Sequence, residues 1–363
     1  MTRTTPDRPF DLEALFPELA GYARGATRLH PRAGSPSVQE SSVGGPLLWP
    51  ADEPWPTCSG PHGVWMSGCA TADDIRHDRA AQAAATGRAV REGAKSDKMT
   101  PQERTAFLES RRARRAAQPS EPEEPEFTAL VPIAQLYARD IPDLKTPPGT
   151  DLLQVLWCPF DHDSRDGEGP AVTLRWRDSS TVGALLEEPP EAAGFEYEDY
   201  LPDPCVLHPE RITEYPLAVH LHEELDPGLC ERIAAWCREI HSVAPQAAAP
   251  ELSWMDADPY DEMSATHTWK IGGWPFWSFR DPMPIRCKTC TATMTPLLQI
   301  GSGEWFTDLG YWTPFEDLPD ILACPLPRHT FGNPPHIALA HGYRLQVYVC
   351  PDSYGHPPRQ YLM

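Results

Sequence analysis

What the 363-residue sequence lacks narrows its function first. No apolar run approaches the roughly 20 residues needed to span a bilayer. Met1–Asp11 carries no apolar segment of the secretory kind. The expected compartment is therefore the cytoplasm, with no membrane association. Basic charge is scarce: 31 Lys and Arg against 52 Asp and Glu leave a net charge of −21. So acidic a surface favours solubility and repels a phosphate backbone, and nucleic acid is not an expected partner. No Gly-x-Ser-x-Gly elbow, Walker loop or dinucleotide fingerprint occurs, and no nucleophile–base pair stands out. Catalysis has no positive signal.

What the chain does have is proline, tryptophan and cysteine. Forty-three prolines, more than twice ordinary usage, fix φ and remove ladder donors, so short elements and many loops are expected. Hydrophobic residues at 40% can build a core, and 12 tryptophans enrich it. In a reducing compartment the 10 cysteines read as buried thiols or metal ligands rather than disulfides.

The most informative pattern is an internal repeat. Leu153-Gln154-Val155-Leu156-Trp157-Cys158-Pro159 returns as Leu345-Gln346-Val347-Tyr348-Val349-Cys350-Pro351. Earlier landmarks recur in the same order. Gly44-Gly45-Pro46 with Trp49 matches Gly272-Gly273-Trp274-Pro275 with Trp277, and Pro54-Trp55-Pro56-Thr57-Cys58 matches Pro282-Met283-Pro284-Ile285-Arg286-Cys287. Pro132-Ile133-Ala134-Gln135 matches Pro296-Leu297-Leu298-Gln299. Ordered landmarks of this kind indicate two copies of one template. Spacing locates the insertions: glycine to glutamine is 90 residues in the first half and 26 in the second, while glutamine to cysteine is 23 and then 51.

The expected organisation is a segment 1–40 with a short helix, a first β repeat over 41–180 interrupted by a helical insertion near 70–126, a linker and helix over 181–262, and a second β repeat over 263–363. The fold class is α+β, mainly antiparallel sheets in two pseudo-repeated halves. Leu152–Trp157 and Arg344–Val349 read as buried strands, and Ala171–Arg177 alternates as a strand with Val172, Leu174 and Trp176 on one face. Thr100-Pro101-Gln102-Glu103 supplies a capping box for a helix running through Ala116. The surrounding segment 71–118 holds 11 Lys/Arg against 7 Asp/Glu. It reads as a solvated insertion, with a basic nucleic-acid-binding arm as the alternative. Asp226-Pro227 caps a helix to about Ser242, whose core face is Leu229, Ile233, Cys237 and Ile240. Ala218-Val219-His220-Leu221-His222 alternates and reads as a strand. The acidic run Asp256, Asp258, Asp261, Glu262 lacks the glycine and terminal glutamate of a calcium loop.

Cys287-Lys288-Thr289-Cys290 is the sharpest local signal, because two thiolates two residues apart can both reach one tetrahedral zinc ion. Cys350 and His356 would complete four ligands, and the parallel first-half set is Cys58, Cys69, Cys158 and His162. The alternative is reduced cysteines packed at strand ends. Trp269, Trp274, Trp277, Trp305 and Trp312 crowd into the second half, where tryptophan near paired glycines can line a binding groove or simply fill a core.

These landmarks together resemble the YwqG-like family of bacterial proteins, a family of unknown function, over Ser42–Cys58, Phe127–Phe160 and Thr266–Pro351. The resemblance implies an α+β protein of antiparallel strands and brings no catalytic residues with it. More distantly, Ile271-Gly272-Gly273-Trp274-Pro275 followed by Cys287 and Cys290 resembles the programmed-cell-death-two family, associated with escorting a newly made ribosomal protein. The first half departs from that pattern in having no CxxC. The expected function is a protein-binding or chaperone-like module for a client with a basic segment, which an acidic groove would steer and screen. The alternatives are an intracellular enzyme with an unadvertised site between the halves, and an immunity-type or regulatory partner.

Overall fold

Residues 24–33 and 205–214 pair along one antiparallel register that passes from one β-sheet into another. The computed structural model containing this ribbon describes residues 2–60, 62, 69–117, 127–162, 169–224, 226–247, 258–278, 281–304, 311–326, 332–340 and 342–363. In chain order its strands are β1 (Arg24–Arg28), β2 (Arg32–Ala33), β3 (Ser42–Val43), β4 (Thr57–Cys58), β5 (Thr128–Ala129), β6 (Val131–Tyr137), β7 (Leu152–Asp161), β8 (Pro170–Arg177), β9 (Cys205–Val206), β10 (Glu210–Glu214), β11 (Lys270–Gly272), β12 (Thr295–Ile300), β13 (Leu345–Val349) and β14 (Arg359–Leu362). The fold is α+β with antiparallel sheets.

One six-stranded sheet runs β2-β9-β3-β6-β7-β8 and the other runs β10-β1-β11-β12-β13-β14. The orders correspond strand for strand, and so do the registers. Val43 pairs with Ala134 as Ile271 pairs with Leu298, and Gln135 pairs with Gln154 as Gln299 pairs with Gln346. Even the bulge recurs, between Pro132 and Ala134 and between Pro296 and Leu298. Proline cannot donate to a ladder, so both copies interrupt the pairing where their proline sits. The N-terminal segment and the linker each give one strand to each sheet, so the halves are woven together. His30, between β1 and β2, is buried in a left-handed conformation (φ 44°) at one of the two crossings.

The inner faces of both sheets share one core, with Val43, Val131, Leu153, Val155 and Trp157 from the first sheet and Ile271, Leu298, Ile300, Leu345 and Val347 from the second. Smaller apolar clusters lie outside each sheet. Burial on both faces accounts for the near-continuous apolar runs of β7 and β13.

The glutamines of the repeat lie buried among loops. Gln135 accepts from Leu48 N at 2.7 Å and donates to Val38 O at 2.8 Å; Gln299 accepts from Phe276 N at 3.3 Å and donates to Thr266 O at 3.1 Å. Each amide ties the glycine-bearing loop to its sheet. At Gly273 (φ +71°) a Cβ would meet Glu214 Oε2 at 2.2 Å, which explains the second glycine of that loop.

The insertion forms two helices, α2 (Ala72–Glu92) and α3 (Pro101–Ala117), after the short α1 (Leu12–Leu15). The expected capping box begins α3: Thr100 N donates to Glu103 at 2.7 Å and Glu103 N donates to Thr100 Oγ1 at 3.2 Å. The expected strand at 218–222 is instead helical, as α4 (Ala218–Glu224). Leu221 drops into an apolar cluster with Tyr215 and Tyr260, and Asp261 accepts from Ala218 N at 2.6 Å, capping the helix from a distant segment that local alternation cannot reveal. The following helix, α5 (Pro227–Ala247), buries Leu229, Ile233 and Cys237 as expected, and α6 (Pro259–Ser264) and α7 (Leu318–Ala323) complete the α-helices among the described residues. No helix among the described residues is long and apolar enough to cross a membrane.

Two candidate metal centres

The Cys287–Cys290 turn is built for two sulfurs to face one point. Cys287 N donates to Ala292 O at 2.9 Å, Thr291 N donates back to Cys287 O at 2.9 Å, and Thr291 takes a left-handed φ of 64°. Arg286 bridges Thr293 behind the turn. The end of β13 delivers Cys350 from across the sheet, and the loop before β14 delivers His356. Cys290 Sγ lies 3.4 Å from Cys350 Sγ, and His356 Nδ1 lies 3.3 Å from Cys350 Sγ and 3.5 Å from Cys287 Sγ. The four residues expected to gather do gather, with one donor atom from each within 4.8 Å of every other.

The first half holds a second set, composed of Cys58, His62, Cys158 and His162, whose donors also lie within 4.8 Å of one another. Cys58 Sγ is 3.5 Å from His162 Nε2, and Cys158 Sγ is 3.3 Å from His62 Nε2. Cys69, expected as a ligand, is not among them. It packs beside Gly194 and the outer apolar cluster, and burial pushes its thiol up. His62 takes its place, brought round by a turn at Gly60 (φ +76°). A signal was available, since Cys58 and His62 are separated by three residues, as are Cys158 and His162.

The two sets are copies in position. Thr57 pairs Ala129 beside Cys58 as Arg286 bridges Thr293 beside Cys287, and Cys158 and Cys350 follow equivalent glutamines by four residues. Both sets can therefore hold a metal ion such as zinc. Their electrostatics suit a cation. A hydrogen bond from Cys158 is the main cause that brings the Cys58 thiol down to about 3, with His162, Gly60 N–H and His62 assisting; Cys158 is pushed up in turn. Against the cost of burial, the N–H groups of Cys290 and Thr289 bring the Cys287 thiol down to about 6. In each set two thiols share protons that a metal ion would displace.

Among the described residues, the tryptophans occupy separate surroundings. Trp269 is in the shared core, 1% exposed. Trp312 donates to Glu262 O at 2.7 Å and stacks under the Arg28 guanidinium 5.4 Å away. Trp274 and Trp277 stand together near the second donor set. Trp305 lies outside the described residues.

Sequence patterns did not reveal the charge inside the second half. Lys270 and Glu214 are fully buried, with Nζ 2.8 and 2.7 Å from the two carboxylate oxygens and 2.7 Å from Trp274 O. Burial lowers the Lys270 pKa while Glu214 opposes the fall. Nearby, buried His30 faces Glu304 at 2.9 Å and Glu210 at 3.1 Å, beside a buried Arg28. Thr5 accepts from Arg28 Nη1 at 2.5 Å, and Glu210, at the edge of this network, lines a concavity of about 480 Å³ with Thr5, Tyr311 and Trp312.

The first half carries an open acidic groove instead. Glu187, Glu188, Glu191 and Asp203 rim a cavity of about 590 Å³ whose floor includes Trp55, Leu130, Pro132 and Phe195. Arg76 bonds Glu191 at 2.8 Å, and Asp203 holds Arg79 at 2.6 Å, while Glu187 and Glu188 are exposed. Searches against protein-family models and curated proteins return no match to this chain.

Proposed function

We propose that this protein is a non-catalytic protein-binding scaffold, held by two structural zinc ions, whose acidic groove receives a basic segment of a partner. The observation that carries the metal part is the recurrence of a four-donor set at equivalent places in both halves. Tetrahedral zinc with bonds of about 2.0–2.3 Å keeps its ligands about 3.3–3.8 Å apart. The nearest donor contacts are 3.3–3.5 Å. Each set supplies four protein ligands, the mark of a closed structural site, whereas a catalytic zinc keeps a position open. Zinc would pin the end of β7 or β13 to a loop more than 50 residues away in sequence, replacing part of the core that proline-rich loops cannot build.

The acidic, apolar-floored groove supports the partner class. Carboxylates steer a Lys- or Arg-bearing segment, and the floor of Trp55, Leu130 and Phe195 offers apolar contact. The resemblance to the YwqG-like family leaves this reading free, and the client-escort role associated with the programmed-cell-death-two family agrees with it.

Metal analysis of protein purified without chelator tests the first part. About two zinc ions per chain are expected, and less than about 0.2 overturns it. For the groove, a labelled Lys/Arg-rich peptide should lose at least about tenfold in affinity when Glu187 and Glu188 are both changed to lysine. Unchanged affinity in the double variant would refute the groove assignment.

A further inference from the structure

Three corners of the two donor sets correspond and the fourth differs. The repeat aligns Cys287 with Cys58 and Cys350 with Cys158, and His356 and His162 follow those strand-end cysteines by six and four residues. At the remaining corner the first half holds His62, whose Nε2 lies 3.3 Å from Cys158 Sγ. The second half holds Cys290 there, with its Sγ 3.4 Å from Cys350 Sγ. Either donor serves a tetrahedral zinc ion, but only a thiolate can be joined covalently to the sulfur beside it. The exchange keeps the donor count at four and adds, at that corner, a reaction closed to the first half.

The surroundings of the three second-half sulfurs are unequal. Cys287 is 2% exposed and Cys350 1%, both packed with Trp277, Met294 and Tyr348. Cys290 is partly exposed and donates to Asp352 Oδ2 at 3.5 Å. The pairing of Thr295 with Val349 holds the two backbones beside each other, close to both sulfurs in sequence. A disulfide holds its sulfurs about 2.05 Å apart, so a movement of about 1.4 Å joins them.

We propose that Cys290 and Cys350 are a redox pair, which a peroxide oxidises to a disulfide with release of the second-half zinc ion. This rests on the zinc reading of that donor set given above. The Cys290 thiolate attacks one peroxide oxygen, the O–O bond breaks and hydroxide leaves, giving a sulfenic acid. The Cys350 thiolate then attacks the Cys290 sulfur; the S–S bond forms, the S–O bond breaks and a second hydroxide leaves. The two thiolates give up two electrons in all, and one peroxide takes them. Cys287 and His356 remain, too few ligands to retain a structural zinc ion. The disulfide keeps the Cys287–Cys290 turn tied to the end of β13. What is given up is the tie to His356, on the loop before β14.

The test treats the zinc-loaded full chain with hydrogen peroxide. Zinc release is followed with a colorimetric chelator, and cross-links by mass spectrometry of unreduced tryptic peptides, in which cleavage after Lys288 separates Cys287 from Cys290. About one zinc ion per chain should leave as a Cys290–Cys350 cross-link appears, and dithiothreitol with added zinc should reverse both. Cys290→His, which copies the first-half corner, should still bind about two zinc ions per chain. Its release in peroxide should be at least about tenfold slower. Release without a cross-link, a cross-link through Cys287 in place of Cys290, or equally fast release from the variant overturns the proposal. Should circular dichroism show that Cys290→His does not fold, the peptide map of the unaltered chain decides alone. A chain that holds no zinc before peroxide is added overturns the metal reading and this proposal with it. Zinc present without a Cys290–Cys350 cross-link overturns the redox pair only.

Discussion

The two sheets share one template and differ in what they bury on it. Across the second sheet, Glu210, Arg28, Lys270, Gln299 and Gln346 fall in one row. The same row of the first sheet reads Arg32, Val206, Ser42, Gln135 and Gln154. The glutamines are kept, because each holds its loop through backbone atoms that both copies must satisfy. The centre of the row is free to change. There one half carries a lysine and an arginine, with glutamates folded over them, while the other carries serine and valine. A β template fixes which positions face a buried loop, but not whether those positions hold charge. Charge is admitted only where the surroundings bring a counter-charge.

The largest expected consequence is a stability difference between matching positions. Glu214→Gln leaves Lys270 buried and unpaired, and should cost about 3–5 kcal/mol in chemical denaturation. At the equivalent row position Ser42 has a buried hydroxyl without a partner, and Ser42→Ala should stay within about 0.5 kcal/mol. Similar losses at the two sites would break the comparison.

Next comes the feature the halves share. Gln135→Ala and Gln299→Ala each strand buried loop groups and should each cost about 1–3 kcal/mol. Denaturation midpoints that fall in only one variant would show that the clamp matters in one half alone.

The last effect depends on pH and concerns the cover of the second sheet. Burial raises the Asp261 carboxyl to about 7, the N–H of Ala218 opposing the rise. The folded chain then holds a proton that the unfolded chain, titrating near 3.8, releases. This contribution is full below pH of about 4 and is lost as pH rises to about 7. Asp261→Asn keeps an oxygen acceptor for Ala218 N and should flatten that part of the stability profile. A parent profile already flat between those limits would remove Asp261 from the account.

Much of the second-half site is legible in the sequence. Cys287, Cys290, Cys350 and His356 could be grouped because a two-residue spacing constrains the first pair and the repeat aligns the third with a strand end. The sequence groups the first-half set with Cys69 in place of His62, because the turn at Gly60 that brings His62 inward depends on its left-handed backbone rather than on ligand spacing alone. The alternation of Ala218–His222 reads as a strand, where the structure has a helix, for a related reason. Its alternation is local, but the carboxylate that caps it as a helix comes from Asp261, more than 40 residues on.

The sequence by itself determined that two copies of an antiparallel template exist, where several of their strands and their insertions fall, and that paired cysteines end equivalent strands. Periodicity, proline and the order of landmarks are local properties, and they survive in the chain as written. Only the tertiary structure decided that the halves exchange strands along the 24–33 and 205–214 ribbon, that His62 is the fourth donor, and that Trp55 packs over Trp49. Each of these depends on backbone and side-chain groups that meet across long stretches of chain or around a tight turn. Their free energy comes from burial and pairing in space, which spacing along the chain does not encode.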